Sequence, residues 1–260
     1  MTKTQLRLGL LINDTPLPQV VEKAGDYRQQ FRDLYDKAAE DKQIKVTWEH
    51  FDVVDKQEYP SLDDIKNGKY DALILTGSAS DAHGNDPWIL KEVDFIKTLL
   101  SEEYADKIKL VGICFGHQII LRAAGGKTGP NEAGWETGFI HTMLNEEGQK
   151  FFNTKKDHLN LYQFHRDHVS ILPEGFIPLG FTTDHTPYQI TVSKNGQCIT
   201  SQGHPEFSHD TMYTMLTVRK EKGVLKEDYA NKCIERLENS SNEHMDDIFF
   251  TKKVIDFITN

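Results

Sequence analysis

Short apolar runs separated by helix-length amphipathic stretches constrain this chain more than any other feature of its sequence. Leu8 to Ile12 reads as a buried strand that stops at Asn13-Asp14-Thr15-Pro16. Tyr27, Phe31, Leu34, Tyr35 and Ala38 then recur at helical spacing. Val46, Trp48 and His50 alternate as in a strand, and Ser61 with Asp64 predicts the capped start of a short helix. Ala72-Leu73-Ile74-Leu75 is the next buried run. Asp86-Pro87 marks another helix start, with Ile89, Val93, Ile96 and Leu100 on one stripe. Leu110-Val111-Gly112-Ile113 follows as a strand, and Gln118 to Ala124 as a helix. Wholly apolar strands need cover on both faces, and strands joined through helices run parallel. The pattern predicts an α/β fold built on an open, mostly parallel sheet with helices on both faces.

The second half differs. Tyr188 to Ser193 and Gln197 to Gln202 flank Asn195-Gly196, which predicts an antiparallel hairpin with a two-residue turn. From about 208 to 260 the pattern is helical, with Ile248, Val254, Ile255 and Ile258 on a last amphipathic stretch. No repeat, low-complexity tract or Pro/Gly/Ser linker interrupts the chain. A single domain over 1–260 is expected, with 125–136 as a loop inside it.

At 260 residues a full core needs no disulfide or metal staple. With 40 Asp+Glu against 30 Lys+Arg the net charge is −10, which argues against a dedicated nucleic-acid or anionic-membrane binder, since both need a basic field. Cys114, Cys198 and Cys233 form no disulfide framework, and the odd count suggests reduced thiols. Leu6 to Ile12 is interrupted by Arg7 and is too short for a secretory core. No stretch approaches the roughly 18 apolar residues of a membrane helix. The expectation is a protein of a reducing compartment, the cytoplasm first, with the nucleus also open.

The chemistry is concentrated in Val111-Gly112-Ile113-Cys114-Phe115-Gly116-His117-Gln118. A strand runs into a cysteine with glycines at −2 and +2, and a helix follows: a nucleophile elbow with cysteine in place of serine. A Cβ at either glycine position would collide with neighbouring backbone in so tight a turn. The helix N-terminus behind the sulfur favours thiolate, and the Phe115 N–H would point at a developing oxyanion. Taken alone, Cys114 reads first as a small buried hydrophobe, and its place in the elbow is what favours a nucleophile. A thiol nucleophile needs a base and the base an orienter. Gln202-Gly203-His204-Pro205-Glu206-Phe207 offers both after a strand, because a spacing of two puts His204 and Glu206 on one side of extended chain. The bland alternative is a surface turn with two solvated polar groups.

Together, Gly112-x-Cys114-x-Gly116-x-Gln118 and Gly203-His204-Pro205-Glu206 resemble the class I glutamine amidotransferase family. With Gly125-Gly126-Lys127, Gly134-Trp135 and Gln163-Phe164-His165-Arg166-Asp167-His168 the chain looks like the stand-alone fungal members and the plant γ-glutamyl peptidases. The resemblance extends from the first strand to about Phe207. It implies a flavodoxin-like sheet and a Cys-His-Glu triad that hydrolyses γ-glutamyl amides through a γ-glutamyl thioester, without cofactor. By the match, Cys114 is the nucleophile, His204 the acid and base, and Glu206 its orienter. Gly77 and Ser78 lie in the loop that donates the second oxyanion N–H. Gln118 lines the glutamyl site, and His165-Arg166-Asp167 holds the α-amino and α-carboxylate ends. Where relatives often carry Gly-Pro-Gly, this chain has Gly77-Ser78-Ala79-Ser80. Arg166 and the loop from Ser78 to Asp81 are the expected rim facing the leaving group, with Arg166 suited to a carboxylate.

His165-x-x-His168 with His204, Glu206 and His209 lacks the ligand spacing of a structural zinc site, so no metal is expected. Gly125-Gly126-Lys127-Thr128-Gly129 departs from a phosphate loop and reads as a helix cap and turn. The expected partner is a small γ-glutamyl substrate, with a separate ammonia-accepting synthase left open. The competing reading is non-enzymatic: a pseudoenzyme, or a redox or electrophile sensor of the same fold acting through Cys114.

Overall fold

Leu8 and Leu10 of β1 (Gln5–Ile12) are buried in one apolar cluster, and Leu11 is buried in another. Ala72 and Ile74 of β3 (Ala72–Leu75) divide in the same way from Leu73 and Leu75. This alternation fixes the architecture, because each strand has two faces to hide. The computed structural model describes residues 3–240 and 243–260. In it, β2 (Lys45–Asp52), β1, β3, β4 (Lys109–Ile113) and a late strand, Cys198–Ser201, lie side by side and parallel.

One face is covered by α2 (Tyr27–Ala39), whose N-cap Asp26 accepts from the Gln29 N–H, and by the C-terminal helices. The opposite face carries α3 (Leu62–Lys66), α4 (Pro87–Leu99) and α5 (Phe115–Ala123). Ser61 caps α3 as expected, its Oγ 3.0 Å from the Asp64 nitrogen. Pro87 opens α4, although the Asp86 side chain makes no capping bond. A short α1 (Pro18–Ala24) crosses between β1 and α2.

The antiparallel part is larger than one hairpin. The segment 125–136, expected to be a loop, contains β5 (Lys127–Pro130), because Gly125 and Gly126 cap α5 by bonding back to Arg122 and Leu121 and release an extended chain. β6 (Glu136–Leu144) then pairs with β7 (His158–His165) across α6 (Glu146–Phe152), and β8 (Asp167–Ile171) returns to pair with β5. β9 (Phe176–Phe181), β10 (Ile190–Ser193) and β11 (Cys198–Ser201) complete a nine-stranded sheet in the order β2-β1-β3-β4-β11-β10-β9-β6-β7. The β10–β11 turn differs from a two-residue one. Gly196 alone takes positive φ, at 69°, while the Ser193 hydroxyl accepts from the Gln197 and Cys198 N–H groups. Helices α7 (His209–Glu221), α8 (Glu227–Asn239) and α9 (Asp247–Thr259) fill the end of the chain, and α9 packs Val254, Ile255 and Ile258 into the cluster under α2.

Candidate active site

The parallel strands β1, β3, β4 and β11 all point their C-terminal ends at one edge of the sheet, where ligands bind in open α/β folds. At the end of β4 the chain turns into α5 through Cys114, which holds φ 53° and ψ −103°, a strained conformation for a residue with a side chain. Its N–H donates to the Ser201 carbonyl at 2.8 Å. A Cβ on Gly112 would stand 2.5 Å from the Gly116 oxygen, and one on Gly116 would stand 2.5 Å from the Leu75 oxygen. Both glycines are therefore needed for the turn. Phe115 is the first residue of α5, so its N–H has no intrahelical acceptor.

His204 follows β11 and donates its backbone N–H to the Tyr162 carbonyl at 2.8 Å. Its ring stacks on Phe207 with centroids 4.0 Å apart. Nδ1 lies 2.8 Å from Glu206 Oε1, leaving Nε2 free for the Cys114 thiol, which lines the same cavity. Burial opposes a charged imidazole, but Glu206 and Cys114 outweigh it and push the His204 pKa up to about 10. A ring biased toward the protonated form supplies the counter-charge a thiolate needs and the acid a departing amine needs.

The loop after β3 is tied down from β1. The Thr76 hydroxyl accepts from the Asn13 N–H at 2.9 Å and donates to the Gly77 carbonyl at 3.0 Å, while Asn13 Nδ2 donates to the Thr76 carbonyl at 3.1 Å. Asp14 Oδ2 accepts from the Ala79 N–H at 2.7 Å. Gly77 faces the His204 ring and Cys114, and Ser78 lines the same cavity.

Gln118, in the first turn of α5, donates from Nε2 to the Asp167 carbonyl and to Gln202 Oε1, both at 3.0 Å. That joins the turn between β7 and β8 to the α5 wall. Both ring nitrogens of His165 are spent on protein, Nδ1 on the Asp167 carbonyl at 3.0 Å and Nε2 on Glu136 Oε2 at 2.8 Å. The buried Glu136 also accepts from Gln189 Nε2 and the Thr186 hydroxyl, and although burial opposes it, His165 holds its pKa below the usual carboxylate range. Arg166 is exposed, and the Asp167 carboxyl lies 3.0 Å from His83 Nδ1.

These groups surround one cavity of about 360 Å³. It brings together Cys114, Phe115, Gln118, Ser78, His165, Arg166, Asp167 and His204, with Glu206 behind His204. Trp135, quoted in the sequence only as part of the resemblance, also lines it, as do Tyr27 and Arg219, which had no local signal: Tyr27 reads as a core position of α2, and Arg219 as one more charge on α7. Glu136 was equally silent, since only the β6–β7 pairing sets it opposite His165. His117, by contrast, is buried against Thr200 at 2.8 Å, and burial drives its pKa down to about 3, leaving it neutral. Among the described residues no three His, Cys, Asp or Glu side chains are grouped to hold a metal ion, and no helix is long and apolar enough to cross a membrane.

Known proteins share this fold and sequence family. The chain superposes on a glutamine amidotransferase from Thermotoga maritima with a TM-score of 0.71 at 19% identity, over 98% of this chain and 99% of that one, a likeness of fold. It is 34% identical to a glutamine amidotransferase-like protein of Schizosaccharomyces pombe, over 96% of this chain and 98% of its relative. It is 31% identical to γ-glutamyl peptidase 4 of Arabidopsis thaliana, over 85% and 84% respectively. The family model for glutamine amidotransferase class I matches residues 24–220. The chain belongs to the class I glutamine amidotransferase family.

Proposed function

We propose that this protein hydrolyses γ-glutamyl amides through a γ-glutamyl thioester on Cys114. The observation that carries the reading is the strained Cys114 at the mouth of α5, facing a His204 imidazole held by Glu206. The thiolate attacks the amide carbonyl carbon, and the oxyanion is met by the Phe115 and Gly77 N–H groups. As the C–N bond breaks, His204 gives its proton to the leaving amine. Water then attacks the thioester carbonyl while His204 takes its proton, the C–S bond breaks, and glutamate leaves with the Cys114 thiolate and protonated His204 restored. Gln118 and Asp167 receive the glutamyl half, with His165 holding Asp167 in place through its carbonyl.

The cavity extends past the triad to Tyr27, Phe207, Met215 and Arg219, more room than ammonia requires. This favours a free-standing hydrolase of γ-glutamyl peptides over an ammonia-donating subunit. Three free, buried cysteines suit a reducing compartment such as the cytoplasm.

Purified protein incubated with glutamine, glutathione and γ-glutamyl dipeptides should release glutamate, and Cys114→Ala should lose at least ~10³-fold in kcat. Release that survives in Cys114→Ala rules the mechanism out. A wild-type preference for glutamine would instead favour ammonia donation to a partner synthase.

A further inference from the structure

The cavity has two walls from opposite sides of the sheet. One is built from α5, the loop after β3 and the β7–β8 turn that Gln118 grips. The other comes from α1, α2 and α7, with α1 packed on α7 and the buried residues of α2 and α7 in the apolar cluster of the opposite face. The first wall carries the polar groups suited to a glutamyl unit. The second carries Leu17, Val20, Met215 and Val224, an apolar surface, with Tyr27 and Arg219 set into it.

Arg219 is the unusual member. It sits in the last turn of α7, half-buried, and forms no ion pair or side-chain hydrogen bond among the described residues. Its Nε is buried without an acceptor. A guanidinium buried in part without an anion is costly, and the cost is relieved if a ligand brings the anion. Tyr27 lines the same cavity as Arg219 and Cys114, so a ligand seated at the sulfur can reach this wall. Arg166 belongs to the opposite wall, is exposed, and has Asp167 as a charged neighbour.

We propose that Arg219 binds the carboxylate of an amino-acid leaving group whose aliphatic or aromatic side chain packs on Leu17, Val20, Met215 and Val224. The substrate class is then γ-glutamyl amides of apolar α-amino acids. This rests on the γ-glutamyl hydrolase reading and moves the leaving-group contact from Arg166, the sequence expectation, to Arg219. A planar guanidinium can hold a carboxylate bidentately, a fit that the lone charge of a lysine does not reproduce.

The test compares γ-glutamyl-phenylalanine with γ-glutamyl-phenethylamide, which differ only in that carboxylate. The wild type should favour the first by at least ~10-fold in kcat/KM, roughly one polar contact. Arg219→Met should bring the ratio near one, Arg219→Lys should keep part of it, and Arg166→Met should keep it. A wild-type ratio near one, a ratio that survives Arg219→Met, or a collapse in Arg166→Met instead would each overturn the proposal while leaving the hydrolase reading in place. If neither compound is cleaved, that reading fails, and calorimetry with Cys114→Ser protein decides the Arg219 contact by itself. Tighter binding of the carboxylate compound, lost on adding Arg219→Met, supports it. Equal affinities overturn it.

Discussion

A Cβ atom on Gly77 would stand 2.9 Å from Cε1 of His204, so the loop after β3 touches the imidazole across a gap that admits only glycine. The ring has little freedom to retreat, being stacked on Phe207 and bonded to Glu206. Gly77→Ala should therefore displace His204 while leaving the sheet intact. The expected result is a loss of about 10²-fold in kcat, the scale of a 1 Å misplacement, with a small change in Tm. Full activity in a folded Gly77→Ala protein would show that the ring does not need its observed position.

Glu206→Gln should be milder than His204→Ala, because the amide oxygen can still accept from Nδ1–H while the ring survives. The charge that holds the imidazolium is lost, however. His204 gives up its proton at a lower pH, and the alkaline limb of kcat/KM moves down from the region of pH 10 toward neutrality. Profiles of both variants against the wild type check the ranking and the shift. A reversed ranking contradicts the division of roles between the two residues.

Glu92 supplies a prediction about stability. It lies on the buried side of α4, fully enclosed, with both carboxyl oxygens unpartnered, and burial pushes its pKa up to about 8 against a modest pull from Asn13. The folded chain thus holds a proton that the unfolded chain releases above pH 4.5 or so, and this contribution to stability is lost as pH rises from there to about 8. Glu92→Gln should remove a slope of up to about 1.4 kcal/mol per pH unit. Thermal melts should show its Tm advantage over wild type growing from pH 5 to pH 8 and then levelling off. A constant difference across that range would mean that Glu92 is ionised in the fold.

The parallel half was legible because β1, β3 and β4 are apolar on both faces and the elbow glycines admit a single geometry. The Cys114, His204 and Glu206 arrangement was legible for a local reason as well, since one tight turn and one spacing of two bring each motif to the same sheet edge. β6, β7 and β9 were not. Their polar residues, such as Asn160 and Thr142, are buried by pairing and hydrogen bonds rather than marked by hydrophobic alternation. β5 contains Gly129 and Pro130, which weaken any strand signal. The wall holding Tyr27 and Arg219 was hidden because α7, which carries Arg219, is separated from α1 and α2 by most of the chain.

The central claim is a covalent γ-glutamyl intermediate on one particular sulfur, and acid-quenched intact-mass spectrometry with peptide mapping measures it directly. Cys198 and Cys233 serve as internal controls, both buried, with burial pushing the Cys198 thiol up to about 12. Wild-type protein quenched during turnover of a γ-glutamyl peptide should carry a single γ-glutamyl adduct, located on Cys114 and absent from Cys114→Ala. Turnover with no adduct at any time point, or an adduct on Cys198 or Cys233, would contradict the account.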